Sequence, residues 1–181
     1  MLSQRELIFK LQEINAIQFG TFTLKSGIVS PIYIDLRLVV SYPDLLRQVA
    51  QAMWQKISHL DFDLLCGVPY TAIPFATAIS LQYNKPMVMR RKEVKDYGMK
   101  KLIEGKFKAG QKCCIIEDVI TTGSSIFETI APLEQAELIA KDVAVLIDRE
   151  QGGAKNLQDK GYRVHSVLTL SSILETLGIN L

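Results

Sequence analysis

The stretch CCIIEDVITTGSSIFETI, Cys113 to Ile130, decides the fold. An unbroken apolar run, Cys113 to Ile116, leads into two acids, Glu117 and Asp118. Val119 and Ile120 follow, then the small-residue turn Thr121-Thr122-Gly123-Ser124-Ser125, then a helical pattern. An apolar run without alternation suits a strand covered on both faces, as in a parallel sheet. A Thr, Gly and Ser turn at a helix start presents backbone N–H groups and hydroxyls in one direction, and the helix dipole adds to them. The turn is therefore a candidate anion cradle. In an open α/β sheet ligands gather at the carboxyl ends of strands, where this turn falls. Adjacent carboxylates would repel an anion there unless they face sugar hydroxyls or a metal ion held by ligand oxygens. An ordinary βα turn with an N-cap serine is the simpler alternative, but the acid pair ahead of the small polar residues is less common. No Walker A or Gly-x-Gly-x-x-Gly sequence competes as a phosphate site.

Outward from this unit the same alternation repeats. Short apolar runs lie at 64–66, 87–89, 113–116, 143–147 and 164–168, with predicted helices at 72–83, 123–138, 154–160 and 171–178. Strands alternating with helices predict an α/β fold with a parallel sheet covered on both faces. Ahead of it, Ser3 and Glu6 form a capping box for a helix bearing Leu7, Leu11 and Ile14. Residues 19–40, FGTFTLKSGIVSPIYIDLRLVV, mix β-branched and aromatic residues around Gly27 and Pro31 and read as a hairpin or irregular strand pair. Pro43 and Asp44 open a second helix with Leu45, Leu46, Val49, Met53 and Ile57 at helical spacing. No repeat, low-complexity tract or linker divides the chain, so residues 1–181 are expected to form a single domain.

Composition narrows the class. Apolar residues make up 48% of the chain, ample for a core, and no apolar run reaches the ~20 residues that span a bilayer. The N-terminus MLSQRELIFK lacks a signal-peptide pattern, which predicts a soluble, unprocessed, cytoplasmic protein. Cys66, Cys113 and Cys114 sit in apolar runs without Cys-x-x-Cys and read as small buried residues in a reducing compartment. The net charge is +2, but residues 90–108 hold eight basic and three acidic side chains, leaving 13 basic against 16 acidic elsewhere. That local excess suits a small polyanion better than a long nucleic acid. A solvated surface loop accounts for the charge equally well.

The 113–125 segment resembles the motif that binds 5-phosphoribosyl 1-diphosphate (PRPP) in the type I phosphoribosyltransferases: an apolar strand ending in two acids, two apolar residues, then T-[TAS]-G-[ST]. The resemblance implies that Glu117 and Asp118 hold the ribose hydroxyls. Thr121, Thr122, Gly123, Ser124 and Ser125, entered through Val119 and Ile120, would wrap the 5′-phosphate. Residues 19–35 resemble the F-x-L-K-S-G…S-P-x-[YF] signature of orotate phosphoribosyltransferases. By that resemblance Lys25 contacts PRPP, and Tyr33 and Ile34, with Thr121, adjoin orotate. RRKEVKDYG, 90–98, resembles the family's mobile catalytic loop, R-K-E-x-K-x-H-G, with Gly98 as pivot. Arg91, Lys92 and Lys95 would stabilise the departing diphosphate, as fixed cations aimed at a leaving group should. GVPYTAIPFATAIS from Gly67 would bind diphosphate, with Tyr70 and Thr71 lining the site, and LIDREQGG would place Arg149 on orotate.

The similarity runs from about Phe19 to Leu177 with the motifs in family order. It implies a type I phosphoribosyltransferase fold with an N-terminal hood, catalysis by Arg91, Lys92, Lys95 and Asp118, and Mg²⁺ held through PRPP oxygens. It also implies a twofold dimer with shared sites, and no nucleic-acid or membrane partner. Two positions depart from the pattern. Thr71 stands where bacterial relatives often have Lys. Tyr97 stands where the loop has His, as in the orotate-transferase half of animal UMP synthases, and it is neutral near pH 7. The chain ends at Leu181, so a decarboxylase domain like the one fused in animals is expected on another polypeptide. Two other readings stay open: a purine phosphoribosyltransferase, and a PRPP-sensing regulator without catalysis. The cationic loop argues against the regulator, and the LKSG segment with Arg149 argues against a purine.

Overall fold

The computed structural model describes residues 2–23, 29–92 and 102–179. Helix α1 (Gln4–Glu13) starts at the expected capping box, with Ser3 and Glu6 hydrogen-bonded to each other's backbone N–H. It buries Leu7, Ile8 and Leu11. β1 (Ile17–Thr23) and β2 (Val29–Ile34) pair antiparallel as the predicted hairpin, with Ile17 and Ile32 fully inside the core. The hairpin stops before residue 40, because Asp35 turns the chain. Its carboxylate accepts the Arg37 backbone N–H at 3.2 Å and pairs with the Arg37 guanidinium. A 3-10 helix, Leu36–Ser41, follows, and Leu36 and Val39, three residues apart, are its buried face. Its β-branched composition disguised it as strand, whereas a three-residue burial period belongs to a 3-10 turn.

The main sheet is built from β3 (Leu64–Gly67), β4 (Met87–Arg90), β5 (Ile103–Glu104), β6 (Lys112–Ile120), β7 (Ile139–Asp148) and β8 (Arg163–Thr169). Its order is β5-β4-β3-β6-β7-β8, parallel throughout except for the short antiparallel edge β5. Consecutive residues of β3, β6 and β7 are buried, so both faces of the sheet are covered, as the apolar runs require. The covering helices are α2 (Pro43–Ile57), α3 (Ala72–Tyr83), α4 (Ser124–Gln135) and α5 (Gly153–Gln158), and α6 (Leu170–Leu177) packs beside α1.

Strand β6 exceeds its sequence reading. It runs through both acids to Ile120, because pairing with β7 continues through Val119↔Ile147 and Ile120↔Asp148. β5 was not expected at all, being two residues inside a basic segment. It closes an antiparallel ribbon with β4, and the Arg91 N–H donates to the Leu102 carbonyl at 2.8 Å. Both ends of the 93–101 segment therefore spring from one anchored base.

Chain direction reverses about β3. The path goes from β3 outward to β4, then returns to β6 on the other side of β3 and on to β7 and β8. In such sheets the crevice forms where the strand order reverses, at the carboxyl ends, here those of β3 and β6. No helix among the described residues is long and apolar enough to cross a membrane.

Candidate active site

Two loops meet at the reversal. Val68 to Thr71 connects β3 to α3, and Thr121 to Gly123 connects β6 to α4. Gly67 makes the first turn possible, since a Cβ there would lie 2.6 Å from the Ala72 carbonyl oxygen. In the second, Gly123 has φ +86° and takes the N-cap position of α4 with no side-chain cap. That left-handed backbone suits glycine. Among the described residues, the N–H groups of Thr121 through Ser125 have no protein acceptor. An uncapped helix start with consecutive free N–H groups is the anion cradle that the sequence predicts.

The cradle is braced from β7's side. Asn156 donates to the Thr122 carbonyl at 3.1 Å, and Gly153 lies so close that a Cβ there would sit 2.5 Å from the Thr121 carbonyl oxygen. Neither residue was picked out from sequence. Only the Gly152-Gly153 doublet hinted at a close approach.

The two acids differ in place. Glu117 is 3% exposed, and its carboxylate accepts the Asp118 N–H at 2.9 Å and the Ser125 hydroxyl at 2.8 Å. Asp118, half-buried, is the carboxylate accessible to a ligand. Successive strand residues point to opposite faces, which is why adjacent acids have unlike surroundings. Burial, and then the side chain of Asp118, push Glu117 up to about 9. Held protonated near neutrality, Glu117 adds little to the repulsion that an incoming phosphate meets.

A stability prediction follows from that shift. An unfolded glutamate titrates near 4.5, so between 4.5 and about 9 the native state holds a proton that the unfolded chain has lost. Stability contributed by Glu117 is complete below the lower value and is lost as pH rises through the upper one. Glu117→Gln keeps the shape of the protonated acid and does not titrate. Its stability advantage over wild type should grow from pH 5 to pH 9, reaching on the order of a few kcal/mol. Thermal unfolding of both proteins across that range would measure it. A pH-independent difference would show that Glu117 is not held protonated.

Arg149, just past β7, is anchored by its backbone N–H to the Ile120 carbonyl at 3.1 Å. Its Nη2 reaches Ser30 of β2 at 3.4 Å, while its Nε is buried without a partner among the described residues. Burial lowers its pKa from its ordinary value far above neutrality, so the guanidinium stays charged. This contact ties the hairpin to the sheet's carboxyl edge through Ser30, while Tyr33 and Ile34 lie half-buried further along β2. Tyr33 packs on Phe22, ring centroids 5.5 Å apart, and its hydroxyl oxygen lies 3.5 Å from Arg37 Nη2.

The cations are only partly gathered. Lys92 lies over the ring of the exposed Tyr70, 4.5 Å from its centroid, which joins the loops after β3 and β4. Arg91 is paired through Nη1 with Glu104 at 2.7 Å, at the base of the ribbon, and its side chain is partly exposed. Thr71 occupies the N-cap of α3 without a side-chain cap bond. Lys25, Lys95, Tyr97 and Gly98 lie outside the described residues.

Among the described residues no group of three or more His, Cys, Asp or Glu side chains gathers as a metal cage. With Glu117 committed inward, the carboxylates fit a divalent ion that takes most of its ligands from substrate oxygens and water, as Mg²⁺ does.

Comparison with known proteins agrees with this architecture. Residues 39–169 match the phosphoribosyl transferase domain. The chain is 44% identical over 172 residues to the orotate phosphoribosyltransferase of Chlamydia caviae, covering 94% of this chain and 84% of that one. It belongs to the orotate phosphoribosyltransferase family. The uridine 5′-monophosphate synthase of Bos taurus is 51% identical over 170 residues, covering 93% of this chain and 35% of the synthase, so the chain spans about a third of that protein. The crystal structure of orotate phosphoribosyltransferase from Aeropyrum pernix superposes with a TM-score of 0.83 at 31% identity, covering 95% of this chain and 98% of that one. The sheet with its flanking helices is thus the type I phosphoribosyltransferase fold.

Proposed function

We propose that this chain transfers the 5-phosphoribosyl group of PRPP to orotate, giving orotidine 5′-monophosphate and diphosphate in pyrimidine biosynthesis. The observation that carries the reading is the junction of two features at one crevice. Among the described residues, five backbone N–H groups without a protein acceptor follow Asp118 in the β6–α4 turn, and Arg149 is under-paired against the hairpin that bears Tyr33 and Ile34. The first suits a phosphorylated ribose. The second suits a planar carboxylated ring, which a guanidinium fork can grip by two hydrogen bonds.

Orotate N1 attacks ribose C1 while the bond from C1 to the diphosphate oxygen breaks; that bond's electron pair leaves with diphosphate, and the N1 proton is released to solvent or to the departing diphosphate. Positive charge builds on the ribose, and Asp118 is placed to hold the ribose hydroxyls and oppose that charge. Negative charge builds on diphosphate, and Lys92, Lys95 and Arg91 are the cations to receive it, with Lys25, Tyr70, Thr71 and Tyr97 lining the approach. Fixed charges aimed at developing charge lower the barrier more than they tighten substrate binding. Mg²⁺, when bound with PRPP, would offset the charge of the leaving group, and Asp118 is the accessible carboxylate of this chain that would face it. The chain is read as one catalytic domain acting in the cytoplasm as a homodimer.

An absorbance assay with PRPP and orotate, adenine or hypoxanthine in turn tests the reading. Turnover is expected with orotate alone, and excess EDTA should abolish it. Turnover of a purine would move the chain to another branch of the family. PRPP binding with no turnover of any base would favour a sensor, and full activity in EDTA would remove magnesium from the scheme.

A further inference from the structure

Strand β4 ends at Arg90, one residue before Arg91. Its side chain is only 13% exposed and crosses to α4. There Nη2 lies 3.6 Å from Glu128 Oε2, and Nη1 lies 3.5 Å from Thr129 Oγ1. Nε is buried with no partner among the described residues. A guanidinium brings five donors, and burying it with long, incomplete contacts is costly. Under-pairing of this kind calls for an explanation.

The far end of the contact supplies one. Thr129 is fully buried, and its hydroxyl donates to the Ser125 carbonyl at 2.9 Å. The Ser125 hydroxyl in turn donates to Glu117 at 2.8 Å. Contacts therefore run unbroken from the root of the cationic segment, through the second turn of α4, to the cradle serine and the buried acid.

We propose that Arg90 is a positioning residue that ties the root of the 93–101 segment to helix α4, so that the cations beyond it and the phosphate cradle keep a fixed relation. It touches no substrate. The family motif begins at Arg91 and gives Arg90 no role. A lysine cannot replace it fully, because an ammonium lacks the planar fork that spans two side chains of one helix. The proposal rests on the PRPP reading above.

The test compares wild type, Arg90→Met, Arg90→Lys, Thr129→Val and the Arg90→Met/Thr129→Val double variant. PRPP affinity is measured by calorimetry, KM for each substrate and kcat by absorbance, and stability by thermal unfolding. Arg90→Met should raise Kd and KM for PRPP by about tenfold while KM for orotate stays near wild type, and Arg90→Lys should recover only part of the loss. The double variant should lose less than the product of the two single losses, since both break one chain of contacts. An Arg90 that only props up the fold would lower Tm and the active fraction, leave both KM values unchanged and combine independently with Thr129→Val. Either of those last two results overturns the proposal. If Arg90→Met does not fold, the PRPP-selective KM rise in Thr129→Val and Arg90→Lys carries the test, and its absence there refutes it. A wild-type protein that binds PRPP but does not turn over orotate would sink the functional reading, and the Kd comparison would still decide Arg90.

Discussion

Replacing Asp118 by Asn should lower kcat/KM by roughly a hundredfold or more while leaving the fold intact. Two effects add. A carboxylate that accepts hydrogen bonds from ribose hydroxyls contributes about 1.5–3 kcal/mol for each charge-assisted bond, and an amide keeps only part of that. The larger part comes from charge, because the ribose ring becomes cationic as diphosphate leaves and a fixed negative charge beside it acts mainly in the transition state. A hundredfold loss corresponds to about 2.7 kcal/mol, within reach of those two effects together. The fold should survive, since Asp118 is half-buried and, among the described residues, its side chain engages no protein group other than Glu117. Steady-state kinetics with PRPP varied, alongside thermal unfolding, measures both halves. Near-normal turnover would remove Asp118 from the ribose site. Glu117→Gln supplies the contrast, because the inward acid already sits largely protonated, and the amide should cost much less activity.

That contrast marks a limit on what a motif conveys. The adjacent letters Glu117 and Asp118 read as an equal pair, and only their places on β6 separate a buried, neutral partner of Ser125 from an accessible carboxylate. Strand alternation carried the distinction in principle, but the apolar run seemed to stop where charge began. Pairing with β7 decided how far the strand ran, and that contact is not local. Helix α3 fell on its expected residues, 72–83, because the apolar runs of β3 and β4 leave a helix-length segment between them. The cradle was legible because an acid pair ahead of a Thr, Gly and Ser turn at a helix start is an uncommon local combination. Gly153 and Asn156 were not legible, because their purpose exists only where Thr121 and Thr122 pass beside them. Arg90 read as one cation in a basic run, and its burial against Glu128 and Thr129 depends on α4 lying across β4. Tertiary neighbours separated these residues from their sequence surroundings.

Hybrid dimers should recover activity that both parents lack. Residues 93–101 connect β4 to β5, whose ribbon is fixed at its base by Arg91 and Glu104 of the same chain, while the cradle sits beyond β3 on β6. Lys92 rests on Tyr70 of its own chain, so it is already placed on its own side of the crevice. In the dimer proposed above, Lys95 crosses to the partner and serves PRPP held by the partner's cradle. Lys95→Ala and Asp118→Asn are each expected to be nearly inactive. When the two are unfolded together and refolded, random twofold pairing makes about half of the dimers hybrids, and each hybrid has one site with neither lesion. Recovery should therefore approach about a quarter of wild-type activity, since one of two sites works in half of the dimers. If each segment serves its own subunit, every site in a hybrid keeps one lesion and the mixture stays as inactive as its parents. Mass spectrometry of the refolded sample under native conditions confirms that hybrids formed, so an inactive mixture containing them refutes the shared site. A monomer at assay concentration would refute it as well, because a residue that acts across an interface needs a partner to act upon.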